Sequence, residues 1–429
     1  MIKVISITDV KADAEMLRNS TTISDDQIQQ TKTVMEEVIK HGDTAVINYT
    51  NKFDGVKLNS LRVTDRDFED AYSKVTTEQI RSIKIMKERL MKSELALLNR
   101  LKGISLSYNG VRIQRLVQPI PSVGCYIPGG KARYPSTVIM CAVPAKSAGV
   151  KRIVGISPPL KSGTIDPLTL VAADICGIDE FYMMGGAQGI TALAFGTNSI
   201  NKVSKIVGPG GVHVTVAKIL VSSRVSVDMV AGPTELLVYA DSSANPKLVA
   251  LDLISQAEHG VDTLCGAVTT SQKLAVQVIK ELTSILEENK IARADIIKKS
   301  LEENGFIAVC KKESIAIEFI NELAPEHAEI IARKSRLLSK KIKSAGIVLI
   351  GNYTPSSASD YCLGSNHVLP TLGFGKSRGS LSILDFLKIV NNVEATKSGL
   401  KNVESVIKEI AQAEGLTNHY ESVRKRVNE

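Results

Sequence analysis

The chain of 429 residues is too long for one hydrophobic core, and at roughly 100–200 residues per domain we expect two to four domains. Its formal net charge is +8, from 53 basic and 45 acidic residues, and no RNA-type aromatic platform accompanies them, so nucleic acid is not an expected partner. The start has no cationic region before a long apolar stretch, and no run of about 18 apolar residues exists. Neither a secretory signal nor a membrane span is therefore expected.

The first hundred residues are predicted to be helical. An acidic cap at 24–26 opens a helix that runs to His41, and Gly42 ends it. Thr77 opens a second helix that extends to about Leu98.

From about Val111, short β-rich runs alternate with helical runs. Strand, glycine turn and helix in repeated order predict parallel βαβ units. The first series has strands at 123–127, 152–156, 181–184 and 203–207, and helices at 136–148, 166–176 and 188–195. The second has strands at 235–240, 263–268, 306–310 and 347–350, and helices at 246–258 and 271–288. Residues 356–359 are predicted to be a loop, and the tail from about Leu381 to be helical, with a helix over 403–414.

The expected fold class is α/β, with two tandem Rossmann-like doubly wound parallel-sheet units between helical N- and C-terminal segments. We place an N-terminal helical region at 1–105, packing on the second α/β unit. The first unit then spans 106–233, the second 234–380, and the C-terminal helical tail 381–429.

The six cysteines lie mostly in apolar runs, and none forms a CxxC pair. This usage predicts reduced, buried thiols in a cytoplasmic protein.

Six histidines stand beside other polar residues that could do chemistry. Gln256 and His259 share a helix face at i and i+3, and both side chains are acceptable to zinc, although the spacing alone favours a helix C-terminal cap by His259 with Gln256 exposed. The neighbours Glu326 and His327 could act as two acid/base groups at one carbon, or lie at the surface. Asp360 could be a metal ligand or a turn cap, His367 has no partner at ligand spacing, and His419 could simply close the last long helix.

Three glycine turns could approach a cofactor, at 129–130, 185–186 and 208–211. None matches the GxGxxG fingerprint, and βα turns need glycine in any case.

Taken together, these segments resemble the histidinol dehydrogenase family over residues 111–419. The matching segments are GCYIPGG at 124–130, GGAQ at 185–188, LAFGT at 193–197, IVGPG at 206–210, DMVAGPTE at 228–235, QAEH at 256–259, APEH at 324–327, SDY at 359–361, and EGL at 414–416 with His419. Their order and spacing are highly specific.

The resemblance implies one zinc ion per subunit, held by Gln256, His259, Asp360 and His419. It also implies a substrate site, in which the substrate's imidazole and amino nitrogens complete the metal shell. That site comprises Thr234, Gln256, His259, His327, Asp360, Glu414 and His419.

The implied reaction is the oxidation of L-histidinol to L-histidine through bound L-histidinal, with two NAD molecules reduced, in the last steps of histidine biosynthesis. His327 resembles the base that takes the alcohol proton, and Glu326 the base that activates water to attack the aldehyde. A homodimer is implied, in which the C-terminal tail completes the partner's site.

Tyr126 and Gln188 match the family's NAD-binding positions. Two positions depart from the family pattern. Gly211 stands where the family usually has an Asn cofactor contact, which a backbone group or His213 could replace. Thr234 stands where Ser is common, and it keeps the hydroxyl.

Three other functions are compatible with parts of the sequence. A zinc- and NAD-dependent dehydrogenase of another amino or polar alcohol would share the same machinery, but the complete imidazole-binding set argues against it. A zinc hydrolase that uses Glu326 would leave Tyr126 and Gln188 without purpose. A non-catalytic binding protein predicts the loss of a ligand or base, and none is lost.

Overall fold

A computed structural model describes residues 2–18, 23–129, 133–229, 231–288 and 291–429. Gly130 of the first glycine turn and Val230 of the 228–235 segment lie outside these ranges.

The α-helices and β-strands are numbered here in chain order. The helices are α1 (Val10–Arg18), α2 (Asp25–His41), α3 (Asp43–Asp54), α4 (Asp65–Tyr72), α5 (Thr77–Leu98), α6 (Pro135–Ala148), α7 (Pro167–Cys176), α8 (Gly186–Phe195), α9 (Val212–Val221), α10 (Pro246–Ala257), α11 (Gln272–Glu287), α12 (Ala294–Glu303), α13 (Glu313–Leu323), α14 (Ser335–Ser339), α15 (Ser356–Tyr361), α16 (Lys397–Ala413) and α17 (Thr417–Asn428). The strands are β1 (Lys3–Ser6), β2 (Ile104–Tyr108), β3 (Val111–Pro119), β4 (Ser122–Tyr126), β5 (Arg152–Ser157), β6 (Glu180–Met183), β7 (Lys205–Val207), β8 (Ser226–Val227), β9 (Glu235–Ala240), β10 (Leu264–Thr269), β11 (Phe306–Val309), β12 (His327–Ile331), β13 (Ile347–Ile350) and β14 (Leu387–Ala395).

Two parallel sheets form the centre of the molecule. The first has the order β6-β5-β4-β7-β8, and the second β1-β11-β10-β9-β12-β13. In the first sheet the chain starts at β4 and adds strands on both sides, and in the second it does the same from β9, with β1 added at one edge, so the strand order reverses at β4/β7 and at β9/β12. The predicted fold of two doubly wound α/β units is confirmed.

Helix starts follow the predicted capping signals. Ser24 forms a capping box with Gln27 at the start of α2, and Thr76 does the same with Gln79 at the start of α5. Each box satisfies backbone N–H groups that a helix start otherwise leaves without partners. The sequence thus located these two helices to within a residue or two.

The N-terminal region differs from the prediction in two ways. It is not wholly helical, because β1 joins the second sheet beside β11, with Lys3 opposite Phe306. Only α1 packs on the second unit, against α13, whereas α2 and α3 pack on α8 and α5 packs on α6. The predicted packing on the second unit is therefore wrong for most of this region, since its apolar residues complete the core of the first unit.

The tail also contains a strand that was not predicted. β14 pairs antiparallel with β3, which pairs with β2, and the three form a separate small sheet. The helix predicted over 403–414 lies inside α16. Helical structure from Leu381 onward was the wrong expectation, because β14 acquires its extended form from pairing with a strand more than 260 residues earlier in the chain.

The predicted loop at 356–359 is instead the start of α15, which places Asp360 on a helix. All six cysteines are free thiols, five of them buried. In the described part of the chain, no helix has the length and apolar character needed to cross a membrane.

Candidate active site

The candidate catalytic residues meet at the amino ends of β9 and β12. Thr234 and Glu235 stand at the start of β9, and Glu326 and His327 at the start of the adjacent strand β12. The sequence placed Asp360 in a loop after a strand, where parallel sheets usually carry their binding groups. Instead, the site occupies the opposite edge of the second sheet.

Glu326 is buried and held by two donors on one oxygen. Its Oε2 accepts hydrogen bonds from the Thr234 hydroxyl at 2.5 Å and from the Glu235 backbone N–H at 2.8 Å. Burial raises the pKa of Glu326 above its usual value, although the nearby His327 ring opposes that effect. A buried carboxylate with a raised pKa is a stronger base than one in water.

His327 has its two ring nitrogens in different surroundings. Its Nδ1 lies 3.1 Å from the Glu235 carbonyl oxygen, which can only accept, so the hydrogen resides on Nδ1. Its Nε2 lies 3.3 Å from Asp360 Oδ1. Burial alone would lower the pKa of His327, but the carboxylates of Glu326 and Asp360 outweigh it and raise that pKa to about 9. Because the Glu235 carbonyl retains the hydrogen on Nδ1, a proton can be gained or lost at the site only on Nε2.

Thr234 fixes the orientation of Gln256. The Gln256 Nε2 donates to the Thr234 hydroxyl at 2.7 Å, while that hydroxyl donates to Glu326. The amide nitrogen therefore faces Thr234, and the amide oxygen is directed away from that bond, where it could serve a cation.

Asp360 lies among three imidazole rings. Burial would raise the pKa of Asp360, but the rings of His327, His367 and His259 outweigh that effect and lower it. Gln256, His259 and Asp360 thus offer an amide oxygen, an imidazole nitrogen and a carboxylate, a mixed set that zinc accepts.

The four predicted metal ligands do not all come together in the structure. In the described ranges, no three His, Cys, Asp or Glu side chains of the chain are grouped so that they could hold a metal ion. Glu414 and His419 are both exposed near the join of α16 and α17, and no described hydrogen bond or ion pair connects their side chains to Asp360 or His327. The structure brings together the other predicted catalytic, substrate and metal residues, and leaves these two apart.

Sequence reasoning missed the roles of Glu235 and His367. The Glu235 carboxylate accepts from the backbone N–H groups of Glu326 at 3.2 Å and Leu372 at 2.8 Å. His367 Nδ1 lies 2.7 Å from the Asp360 carbonyl oxygen. Glu235 could have been noticed because it is a glutamate at the start of a strand that is otherwise apolar. No local sequence feature marks His367.

The candidate NAD residues lie at the carboxyl edge of the first sheet. Tyr126 ends β4, and its hydroxyl accepts a hydrogen bond from the Gly186 N–H at 3.3 Å. Gln188 is buried in the first turn of α8, and its Oε1 has no hydrogen-bond partner among the described residues. A buried acceptor without a partner is costly, which favours a ligand that donates to it.

The two edges face each other through α6. His367 Nε2 lies 3.4 Å from Thr137 in the first turn of α6, and Asn366 donates to the Met140 carbonyl at 2.8 Å. The candidate catalytic cluster of the second unit therefore adjoins the carboxyl edge of the first.

Comparisons with known proteins identify the family of the chain. The histidinol dehydrogenase family model matches residues 17–427. A histidinol dehydrogenase of Methanocaldococcus jannaschii is 41% identical over 394 residues, covering 92% of this chain and 91% of that protein. One of Clostridium acetobutylicum is 44% identical over 406 residues, covering 93% and 92%. The crystal structure of histidinol dehydrogenase from Elizabethkingia anophelis has a TM-score of 0.93 and 35% identity, covering 100% of this chain and 98% of that one. The chain belongs to the histidinol dehydrogenase family of oxidoreductases.

Proposed function

We propose that this protein oxidises L-histidinol to L-histidine through bound L-histidinal, with two NAD molecules as hydride acceptors and one zinc ion per subunit. The observation that carries the proposal is a linked cluster at the amino ends of β9 and β12. Two candidate bases, Glu326 and His327, lie beside Gln256 and Asp360, which suit a metal ion.

His327 accepts the alcohol proton in the first oxidation. Its Nδ1–H is bound to the Glu235 carbonyl, which fixes the ring and leaves Nε2 as the proton-accepting atom. The partial positive charge that develops on the ring is stabilised by the neighbouring Glu326 carboxylate.

Glu326 takes a proton from the water that attacks the aldehyde. Because its Oε2 is occupied by Thr234 and Glu235, the carboxylate is held still, and Oε1 is the oxygen that faces the reacting water. Both bases act at one carbon in succession, and burial of the site retains the reactive aldehyde between the two oxidations.

Gln256, His259 and Asp360 would hold the zinc ion together with His419, and this donor set fits the metal. When bound, zinc supplies a Lewis acid that positions the amino alcohol, while NAD accepts the hydride. Tyr126 and Gln188 would contact NAD, and the unpartnered Gln188 Oε1 supports this, since it offers an acceptor beside a glycine turn.

We also propose a homodimer in which Glu414 and His419 complete the site of the other subunit. Apolar side chains stand exposed on the small antiparallel sheet and on α16, and a second copy of the chain would cover them. They include Ile104, Leu106, Ile389, Val393, Val406 and Ile410. Of the 17 residues of α16, only Gly399 and Ala411 are buried.

Subunit mixing tests the shared site. Homodimers of His419→Ala and of His327→Ala are each expected to be inactive. A mixed dimer would contain one site with both defects and one intact site, so mixing should restore activity. If mixed dimers form and no activity returns, His419 does not act across the interface.

The division of labour between the bases is tested with two substrates. Glu326→Gln should block oxidation of L-histidinal more than the first oxidation of L-histidinol, because only the second oxidation needs activated water. His327→Asn should block the alcohol step. If Glu326→Gln oxidised the aldehyde at the parent rate while alcohol oxidation failed, the roles would be reversed.

The proposed reaction belongs to the last steps of histidine biosynthesis in the cytoplasm. L-histidinol is the expected partner molecule, without nucleic acid or membrane. The domain division at 105, 233 and 380 also remains a proposal. The boundary at 233 is supported because β4–β8 and β9–β13 supply different sheets.

A further inference from the structure

Gly208 forms the turn between β7 and α9 in a conformation that favours glycine. Its φ is +115°, and a Cβ there would overlap the backbone carbonyl oxygen of Tyr126. The turn therefore packs directly on the end of β4. It lies at the β4/β7 position where the strand order reverses, which is where doubly wound sheets bind their ligands.

One ion pair binds both polar backbone groups of Gly208. The Asp228 Oδ2 accepts from the Gly208 N–H at 2.8 Å, and the Lys218 ammonium donates to the Gly208 carbonyl at 3.1 Å. Lys218 and Asp228 also pair directly with each other. The other oxygen of Asp228 accepts from the Met229 N–H at 2.7 Å, which ties the following segment to the same carboxylate.

The pair is fully removed from solvent. The side chains of Lys218 and Asp228 are 3% and 0% exposed. Burying two charges costs free energy that their mutual attraction does little more than offset, so a buried pair is weak evidence of added stability. Its geometry indicates another role, because the two charges hold the two peptide groups on either side of Gly208.

We infer that Lys218 and Asp228 are positioning residues that hold the 208–211 turn in the form that receives the dinucleotide. The inference rests on the proposed function, since it takes Tyr126 and Gln188 as marking the NAD site. Because the turn is already ordered before NAD binds, binding does not lose the conformational entropy of ordering it. The affinity for NAD is higher for that reason.

The test replaces both charges together, by Lys218→Met with Asp228→Asn, because removing one partner would leave an unpaired buried charge. We expect the KM and the dissociation constant for NAD to rise about tenfold or more, with the KM for L-histidinol and the zinc content unchanged. An unchanged dissociation constant for NAD in a folded double variant would overturn the inference.

A second, partly buried pair, whose Asp385 also contacts Arg378, supplies the control. Lys205 and Asp385 lie 3.2 Å apart with side chains 12% and 13% exposed, at the other end of β7. Lys205→Met with Asp385→Asn should leave the affinity for NAD near that of the parent. If it weakened NAD binding equally, the effect would come from general destabilisation, and the inference would fail.

Amide hydrogen exchange of the unaltered protein keeps the idea testable if the double variant does not fold. A preformed turn requires the Gly208 amide to be protected before NAD is added, with little further protection afterwards. Strong protection only after NAD binding would overturn the inference.

Tyr126→Phe and Gln188→Ala separate the two proposals. If they weaken NAD binding and the double variant does not, only the positioning role is wrong; if neither does, the proposed cofactor site is wrong as well.

Discussion

Glu235 and Glu326 are joined by a reciprocal pair of hydrogen bonds. The Glu235 N–H donates to the Glu326 carboxylate at 2.8 Å, and the Glu326 N–H donates to the Glu235 carboxylate at 3.2 Å. The remaining Glu235 oxygen accepts from Leu372, which has a φ of +55°. Glu235 thus fixes the candidate base, the strand that carries it and a nearby loop.

Glu235→Gln should lower kcat about tenfold to a hundredfold, because an amide nitrogen would face one of two backbone N–H groups and leave a donor unsatisfied. The fall in kcat should be largest for the oxidation of L-histidinal, and the KM for NAD should change less. Steady-state kinetics measure this, with the exposed Glu318→Gln as control. A folded Glu235→Gln enzyme with parental kcat would show that this contact does not position Glu326.

Thr234 links the metal-binding side of the site to Glu326. Thr234→Val keeps the shape but removes the hydroxyl between Gln256 and Glu326. We expect both zinc affinity and activity to fall about 10- to 100-fold, as is usual when a partner of a metal ligand is lost. Thr234→Ser retains the hydroxyl and should behave like the parent; equal loss in both variants would assign the effect to packing.

Gly211 can accept a side chain. Its φ is −67°, no atom lies within 4 Å of an added Cβ, and it caps α9 without a side-chain hydrogen bond. Gly211→Asn should therefore stabilise the protein by only a few tenths of a kcal/mol through capping, and should tighten NAD binding. Titration with NAD and thermal unfolding measure both. Gly210→Asn is the contrasting variant, because its Cβ would lie 2.6 Å from Val214 Cβ, and it should be destabilised.

Arg152 and Glu180 give a pH-dependent contribution to stability. Their two-pronged contact, at 2.6 and 3.1 Å, lowers the pKa of Glu180 below its usual value of 4.5. Because the folded-state pKa is the lower one, this stabilisation is present above about pH 4.5 and disappears as pH falls through the folded value.

Glu180→Gln should therefore lower the free energy of unfolding by about 1–3 kcal/mol at pH 7, and by progressively less under more acid conditions. Denaturant titrations across this pH range provide the measurement. Glu78→Gln removes an exposed pair with Arg81 and should cost little at any pH. A Glu180→Gln deficit independent of pH would contradict the assigned cause.

Local signals explain most of what the sequence predicted of the fold. The acidic cap that begins at Ser24 and the helix start at Thr77 located two helices, and the alternation of β-rich and helical runs located the strands of both parallel sheets except β1, β8 and β12. β14 was missed because its pairing with β3 is set by the tertiary structure. α15 was missed because serines and prolines in short segments also favour loops.

The candidate site was recognisable as a set of residues, but its geometry was not. Gln256, His327 and Asp360 come together as the family resemblance implied. Their meeting at the amino ends of β9 and β12 depends on α10 and α15 running back along the sheet, which no spacing rule predicts. Glu235 and His367 contribute through contacts across long stretches of sequence, for which the sequence offers little sign.

The stoichiometry of NADH formation tests the proposed reaction most directly. Purified protein supplied with L-histidinol and excess NAD should form two NADH per histidinol consumed. Activity should disappear on chelation and return with zinc. One NADH per substrate would contradict the second oxidation and the role of Glu326, full activity after complete chelation would contradict the metal site, and no NADH from the zinc-loaded protein would contradict the proposed reaction itself.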